Sequence, residues 1–295
     1  MPGELRTALA AASSTLSAAG VGSAWAEAQI LAAHVLGISR AELSRLVVLG
    51  APEPAGLAEL VARRARREPL QHLVGVAPFR TIELLVGPGV FVPRPETEVV
   101  AGIAIEAALE LVAGGLDRPC VVDLCTGSGA IALALATEVP QARVVAVEVD
   151  PAAYAWAARN VQALGLADRV DLRLGDAAGA DRAVLAELAG QVDLVVANPP
   201  YIPPDATPVD PEVRDHDPAV ALYGGGDDGL LVPRLVVASA QGLLLPGGWL
   251  VMEHADIQGP ATRALVAGPA WTQVRTATDL TGRCRALIAR RTEVA

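Results

Sequence analysis

The sequence predicts an α/β fold in which a short helical N-terminal part precedes a parallel sheet covered by helices on both faces. Three observations carry this expectation. From residue 119 onward, short apolar runs alternate with helical stretches: "CVVDLC", "ARVVAVEV", "RVDLRLG" and "VDLVVAN" are each followed by a candidate helix or loop. The first of these runs are almost wholly apolar, as parallel strands buried on both sides require. Residues 1 to about 70, in contrast, show helical periodicity and no strand pattern.

The 295 residues suffice for a large and a small domain, with 52% hydrophobic and 19% charged residues. No apolar run is long enough to suggest a membrane span. The Ala-rich start ending "SAWA" reads as a soluble helix rather than a signal peptide, because Glu4, Arg6 and several hydroxyl residues interrupt it. Cys120, Cys125 and Cys284 form neither a CxxC pair nor a disulfide framework, which suits a reducing cytoplasm, and no His/Cys cluster suggests a metal. A net charge of −10 argues against a partner held mainly through a phosphate backbone, so direct nucleic-acid binding is not expected.

In the N-terminal part, Ala24, Ala28, Leu31 and Val35 make a stripe that stops at Gly37, with His34 expected in the packed core. Ser39 with Glu42 suggests a capping box. "GLAELVARRARRE" reads as an amphipathic helix whose four arginines face solvent, and this helical part (residues 1–75) as a docking unit. A hairpin linker is expected over 76–96, with Ile82, Leu84 and Val86 on one strand, a turn at Gly87–Gly89 and a return over Val90–Val92. "PRPETE" then opens a helix over about 97–112, the start of a catalytic domain spanning 97–295. Further on, helices are expected from Ser128, from Pro151, near 182–189 and from about Gly229, followed by the strands "GGWLVMEH" and "RALIAR". A loop of about thirty residues follows residue 201, and loops of that length inside a domain usually serve function.

The turn in "VVDLCTGSGAIALAL" places Gly127 and Gly129 between a strand and a helix N-terminus, where small residues let a ligand approach the backbone. Gly127-x-Gly129-x-x-Ala132 also satisfies the dinucleotide fingerprint, with Glu148 about twenty residues on. A nucleoside-containing cofactor is therefore expected, its identity open on the glycines alone. Asp123, inside a strand end, tilts the choice. A buried carboxylate needs a cation or donors, and a sulfonium cofactor with an α-amino group provides both. Glu148 can accept from ribose hydroxyls, and Asp176 from an adenine amino group. With Asn198, these residues line the carboxyl edge of the sheet, where open α/β folds bind ligands.

With "DLCTGSGAIAL" and "ANPPYIP" in place, flanked by "REPLQHLVG", "GPGVFVPRPETE", "EVRDHDPAVALYGGGDDGL", "LLPGGWLVMEHADIQ" and "DLTGRCRALIAR", the chain resembles the bacterial release-factor glutamine methyltransferases over nearly its whole length. The resemblance implies a seven-stranded Rossmann-like methyltransferase sheet and S-adenosyl-L-methionine as cofactor. It assigns Thr126, Gly127, Ser128 and Gly129, with the backbone at Cys125, to the methionine part. Glu148 goes to the ribose, Asp176 and Ala177 to the adenine, and Asn198, Pro199, Pro200 and Tyr201 to the substrate amide, Asn198 also lying beside the cofactor. Cys125 stands where glycine is expected, Glu148 where aspartate is commoner, Ala177 where a larger side chain is usual, and His72 where tyrosine is common.

The chemistry accounts for the tetrapeptide. A glutamine amide nitrogen offers two donors and no acceptor, so Asn198 Oδ1 and the Pro199 carbonyl can take its N–H groups while Tyr201 packs on the flat amide. The prolines hold those acceptors in place before substrate arrives. The implied reaction is methylation of the glutamine in the Gly-Gly-Gln motif of peptide-chain release factors. A ribosomal-protein glutamine and the adenine amino group of DNA are the rival acceptors, and a cofactor-binding scaffold without activity is the rival from another class. His254 is expected to be structural or near the cofactor. "VRDHDP" is expected in a loop over the site, its acids solvated.

Overall fold

The computed structural model describes residues 4–293. Five helices come first: α1 (Glu4–Ala18), α2 (Ala24–Leu36), α3 (Arg40–Leu49), α4 (Leu57–Ala65) and α5 (Leu70–Val74). A small two-stranded sheet follows, β1 (Val76–Phe79) and β2 (Ile82–Leu85). The remainder alternates: α6 (Pro95–Ala113), β3 (Cys120–Leu124), α7 (Ala130–Glu138), β4 (Arg143–Glu148), α8 (Pro151–Ala163), β5 (Val170–Leu174), β6 (Val192–Ala197), the short α9 (Pro211–His216) and α10 (Ala219–Leu222), α11 (Leu231–Leu243), β7 (Leu244–Glu253), α12 (Gly259–Leu265), β8 (Trp271–Thr278) and β9 (Cys284–Arg291).

The described residues fall into two compact units. One runs up to Val76 and takes in Pro208–His216; the other comprises Ala77–Thr207 and the chain from Asp217 onward. The first unit is built on Leu5, Leu9, Leu16, Leu31, Leu43 and Leu57, all essentially without solvent exposure. Its polar centre is an ion-pair cluster. Arg64 is buried and contacts Glu27 at 2.6 Å and Glu212 at 2.7 Å, and Arg67 also pairs with Glu212, at 2.6 Å. Burial pushes the Glu212 carboxyl up, but Arg67 and Arg64 outweigh it and hold the group below its ordinary range.

In the second unit, seven strands run in the order β5-β4-β3-β6-β7-β9-β8. β3 to β7 pair in parallel, and β9 is antiparallel to both β7 and β8. Strand residues alternate between two cores. Val121, Val144, Ala146, Leu194 and Val196 pack with α6 and α7, whereas Val122, Val145, Val147, Val195 and Leu250 pack with α11. The strand order reverses between β3 and β6, which makes their carboxyl ends the crevice where such sheets take ligands.

Several expectations need correction. The hairpin turns at Arg80–Thr81, with Arg80 at φ 51°, and not at Gly87–Gly89. Pro88 and Pro93 remove donors that a return strand would need, and Gly87 lies under the Trp156 ring, whose Nε1 donates to the Pro88 carbonyl at 3.2 Å. The four arginines do not all face solvent: Arg64 is enclosed because two carboxylates meet it. His34 is exposed, since Ala32 and Ala33 take the buried positions of α2. Ser39 caps α3 by accepting from the Glu42 amide, but the Glu42 side chain pairs with Arg45 instead of closing the box. The stretch near 182–189 forms two 3-10 turns, Ala180–Arg182 and Ala186–Leu188. The strand β8 has no counterpart among the strands read from residue pattern. Asp217, in "VRDHDP", is buried against Arg94 at 2.6 Å rather than solvated.

Candidate active site

Strand register brings the site together. Leu124 stands opposite Val147 on one side and Ala197 on the other, Glu148 opposite Leu174, and Ala197 opposite Met252. Cys125, Glu148, Asp176, Asn198 and Glu253 therefore leave the sheet at one edge, within a residue or two of the last paired positions.

The glycine turn is braced from below. Asp123 is fully buried; its Oδ2 accepts from the Thr126 hydroxyl at 2.5 Å and from the Ala132 amide at 3.1 Å, tying the turn to the start of α7. Its Oδ1 is buried and has no hydrogen-bond partner among the described residues. Burial pushes the Asp123 carboxyl up to about 7, against the pull of Thr126 and Ala132. Cys125 takes φ 63°, a left-handed conformation that favours glycine, which accounts for the expectation of glycine at this position. Burial, with Glu148 and Asp123 nearby, holds its thiol protonated. Gly127 has open space where a Cβ would stand, while Thr126 and Ser128 are buried.

Glu148 accepts from the amides of Gly127 (2.7 Å), Val149 (3.0 Å) and Asp150 (2.9 Å), and burial raises its pKa despite these donors. Asp176 is exposed and accepts from the Ala178 amide at 2.8 Å, while Ala177 is buried with its carbonyl bonded to Ser239 at 2.7 Å. Asn160 on α8 was missed from sequence. It clamps both polar groups of Leu85 and donates to the Ser128 carbonyl at 2.9 Å, linking β2 to the glycine turn. An Asn in a helix of mostly small residues carries no sequence signal for this.

At the end of β6, Asn198 Nδ2 donates to Thr97 Oγ1 at 3.2 Å, and the Tyr201 hydroxyl donates to Glu253 Oε1 at 3.2 Å. Asn198 Oδ1 and the Pro199 carbonyl accept from none of the described residues. The loop is held from behind by backbone packing. Ile202 donates to the Leu222 carbonyl, Gly224 to the Ile202 carbonyl, and Gln258 Nε2 to the carbonyls of Tyr201 (2.9 Å) and Asp228 (3.2 Å). Burial, followed by the neighbouring Glu253, pushes the Tyr201 hydroxyl above its ordinary pKa. His254 is buried and hydrogen-bonds the Ala255 carbonyl through Nδ1 at 2.7 Å; burial lowers its pKa and keeps it neutral.

Residues 104–210, which hold both turns, match the family model described as "Methyltransferase small domain". With the sheet order, this defines a Rossmann-like methyltransferase. Residues 7–75 match the model described as "PrmC N-terminal domain". Over 85% of each chain it is 53% identical to the release factor glutamine methyltransferase of Streptomyces coelicolor. Against the protein of that name from Mycolicibacterium smegmatis identity is 49%, over 97% of this chain and 98% of the other. The chain belongs to the release factor glutamine methyltransferase family. It is also 41% identical, over 88% of this chain and 86% of the other, to the 4-amino-L-phenylalanine/4-methylamino-L-phenylalanine methyltransferase of Streptomyces pristinaespiralis.

Proposed function

We propose that this chain methylates the side-chain amide nitrogen of the glutamine in the Gly-Gly-Gln motif of peptide-chain release factors, with S-adenosyl-L-methionine as methyl donor. The observation that carries the reading is the pair of unengaged acceptors, Asn198 Oδ1 and the Pro199 carbonyl, held on a proline-stiffened turn beside the glycine turn. The names borne by the Streptomyces coelicolor and Mycolicibacterium smegmatis relatives support the acceptor.

The residues present fit the cofactor. Asp123 Oδ1 is a buried oxygen without a donor, suited to a cationic α-amino group, and Gly127 leaves space beside the turn. Glu148 would hold the ribose and Asp176, with Ala177, the adenine end; Cys125, Thr126, Ser128 and Gly129 shape the wall. When bound, S-adenosylmethionine supplies an electrophilic methyl group on a sulfonium. Asn198 and Pro199 then act by orientation. Accepting both N–H groups draws electron density onto the amide nitrogen and fixes its direction, and such alignment is worth about 7–11 kcal/mol in favourable systems. Tyr201 packs on the amide plane. The methylated nitrogen sheds its extra proton readily to solvent, so the displacement needs no strong base.

The helical unit serves as the docking surface for the release factor, and the reaction belongs in the cytoplasm. A chain lacking residues 1–85 should bind cofactor but fail on intact release factor; full activity would remove the docking role. The Streptomyces pristinaespiralis relative is named for an aryl amine, which, like a carboxamide, is an amino group on an sp² carbon. Labelled methyl transfer to release factor, ribosomal protein, DNA and 4-aminophenylalanine, side by side, tests the assignment. Label in the release-factor glutamine is the expected result, and label only in another acceptor overturns it.

A further inference from the structure

Pro199 and Pro200 carry no backbone N–H, so the turn after β6 cannot be held by the kind of ladder that holds the strand. At its start it continues from Ala197, which is paired on both sides, opposite Leu124 and Met252. At its end, beside the Ile202–Leu222 backbone bond, the hold is a side chain. Gln258, buried at the N-cap of α12, donates from Nε2 to the Tyr201 carbonyl at 2.9 Å and to the Asp228 carbonyl at 3.2 Å, and its Oε1 accepts from the Ala255 amide at 3.1 Å. A backbone N–H only donates and a carbonyl only accepts, so these three partners leave the Gln258 amide a single orientation. The chain through Gly229 lies directly against the same turn. A Cβ at Gly229 would overlap the Tyr201 carbonyl oxygen and stand 2.7 Å from the Pro203 nitrogen.

We infer that Gln258 is a positioning residue for the methyl transfer, an inference that rests on the proposed role of the Asn198–Tyr201 turn. Its one NH₂ group ties two backbone segments together, the turn at Tyr201 and the glycine-rich chain at Asp228, while its oxygen fastens both to the chain just after β7. The rings of Pro199 and Pro200 fix two φ angles, so the segment between Asn198 and Tyr201 is stiff. A displacement of the Tyr201 carbonyl is therefore passed back to the Pro199 carbonyl, one of the two acceptors for the substrate amide. Gln258 acts through the turn and not on the amide itself. Its end group suits the task because it offers two donors and an acceptor without charge. An ionised glutamate of the same length would turn lone pairs on two carbonyls, and a lysine would leave the Ala255 amide without an acceptor. The burial of a polar side chain between η-turn and loop thereby gains a purpose in the reaction.

The test is a pair of variants of similar length, Gln258→Glu and Gln258→Met, assayed on intact release factor beside Asn198→Ala. The first keeps the acceptor for Ala255 and replaces the two donors; the second removes every polar atom. Both should lower kcat on the order of tenfold to a hundredfold while cofactor KM, and cofactor affinity measured by calorimetry on the same preparations, stay within about threefold of wild type. That split between kcat and cofactor binding is the signature of positioning, because a general loosening of the fold would weaken both together. If both variants retain kcat within twofold of wild type while Asn198→Ala is inactive, the positioning role of Gln258 is wrong and the role of Asn198 stands. A fall in kcat matched by an equal fall in cofactor affinity in both variants also overturns it, since Gln258 would then support the fold alone. If Asn198→Ala itself retains wild-type kcat, the underlying reading fails and the inference falls with it.

Discussion

Replacing Gly224 by alanine should damage catalysis without touching any group that meets substrate or cofactor. A Cβ built on Gly224 lies 2.6 Å from the Pro200 carbonyl oxygen, and closer still to the Gly229 carbonyl. Ordinary van der Waals contact begins near 3.4 Å, so the Pro200 carbonyl alone must retreat by about 0.8 Å. The obstacle is backbone on both sides, with no flexible side-chain end to swing away. Gln258 and the Gly224–Ile202 hydrogen bond limit other routes of relief. A misplacement of about 1 Å in a reacting geometry costs about 10²-fold in rate, and Pro200 sits between the two residues that frame the amide. Gly224→Ala should therefore lower kcat by roughly that factor while calorimetric cofactor affinity stays near wild type. Gly226→Ala is the control. Its added Cβ meets nothing nearer than the flexible Asp228 carboxylate at 3.4 Å, so only the left-handed φ of 66° is penalised, by about 1–2 kcal/mol of stability. A Gly224→Ala enzyme with wild-type kcat would refute the idea that a rigid backbone platform supports the tetrapeptide.

Burial raises the carboxyls of Asp123 and Glu253 to about 7 in the folded, ligand-free protein. A folded pKa above the unfolded one gives stability that is fully present below the ordinary carboxylate range and lost as pH rises through 7. The melting temperature of ligand-free protein should thus fall between about pH 4 and 7, and Asp123→Asn should flatten that slope. Because the Asp123 carboxylate is the form that welcomes a cationic amino group, cofactor affinity should rise over the same interval, and a pH-independent affinity would argue against the contact. In the helical unit, Arg64→Ala strands the Glu27 carboxylate, while Glu212 keeps Arg67. Denaturant unfolding should show a loss of about 3–5 kcal/mol, as for other broken buried pairs, and a loss under about 1 kcal/mol would mean the cluster is effectively solvated.

The glycine-turn end of the candidate site was legible because it is written locally. A strand, a glycine turn and a helix follow one another, and apolar strands ending in Asp123 and Glu148 place their acids by register alone. The tetrapeptide end was half legible. The Asn198–Tyr201 turn has its own signature, but its supports come from far along the chain: Thr97 lies 101 residues from Asn198, and Glu253 lies 52 from Tyr201. Glu253 did carry a usable sign, the same one that singled out Asp123: a carboxylate closing an apolar strand. Thr97 carried none. The hairpin was misplaced because the glycines near 87–89 look like a turn, and their real constraint, the Trp156 ring, is a tertiary contact. Arg64 looked solvated because nothing near it in sequence shows that Glu212 will reach it.

The central claim is that a fixed pair of oxygen acceptors aims a carboxamide nitrogen at a methyl group, and single-turnover transfer by Asn198→Ala tests it most directly. On the same preparation, cofactor affinity should remain near wild type while transfer to the release-factor glutamine falls by at least about 10²-fold, the usual scale for losing a preorganised polar contact to a reacting group. Wild-type transfer by that variant would contradict the account.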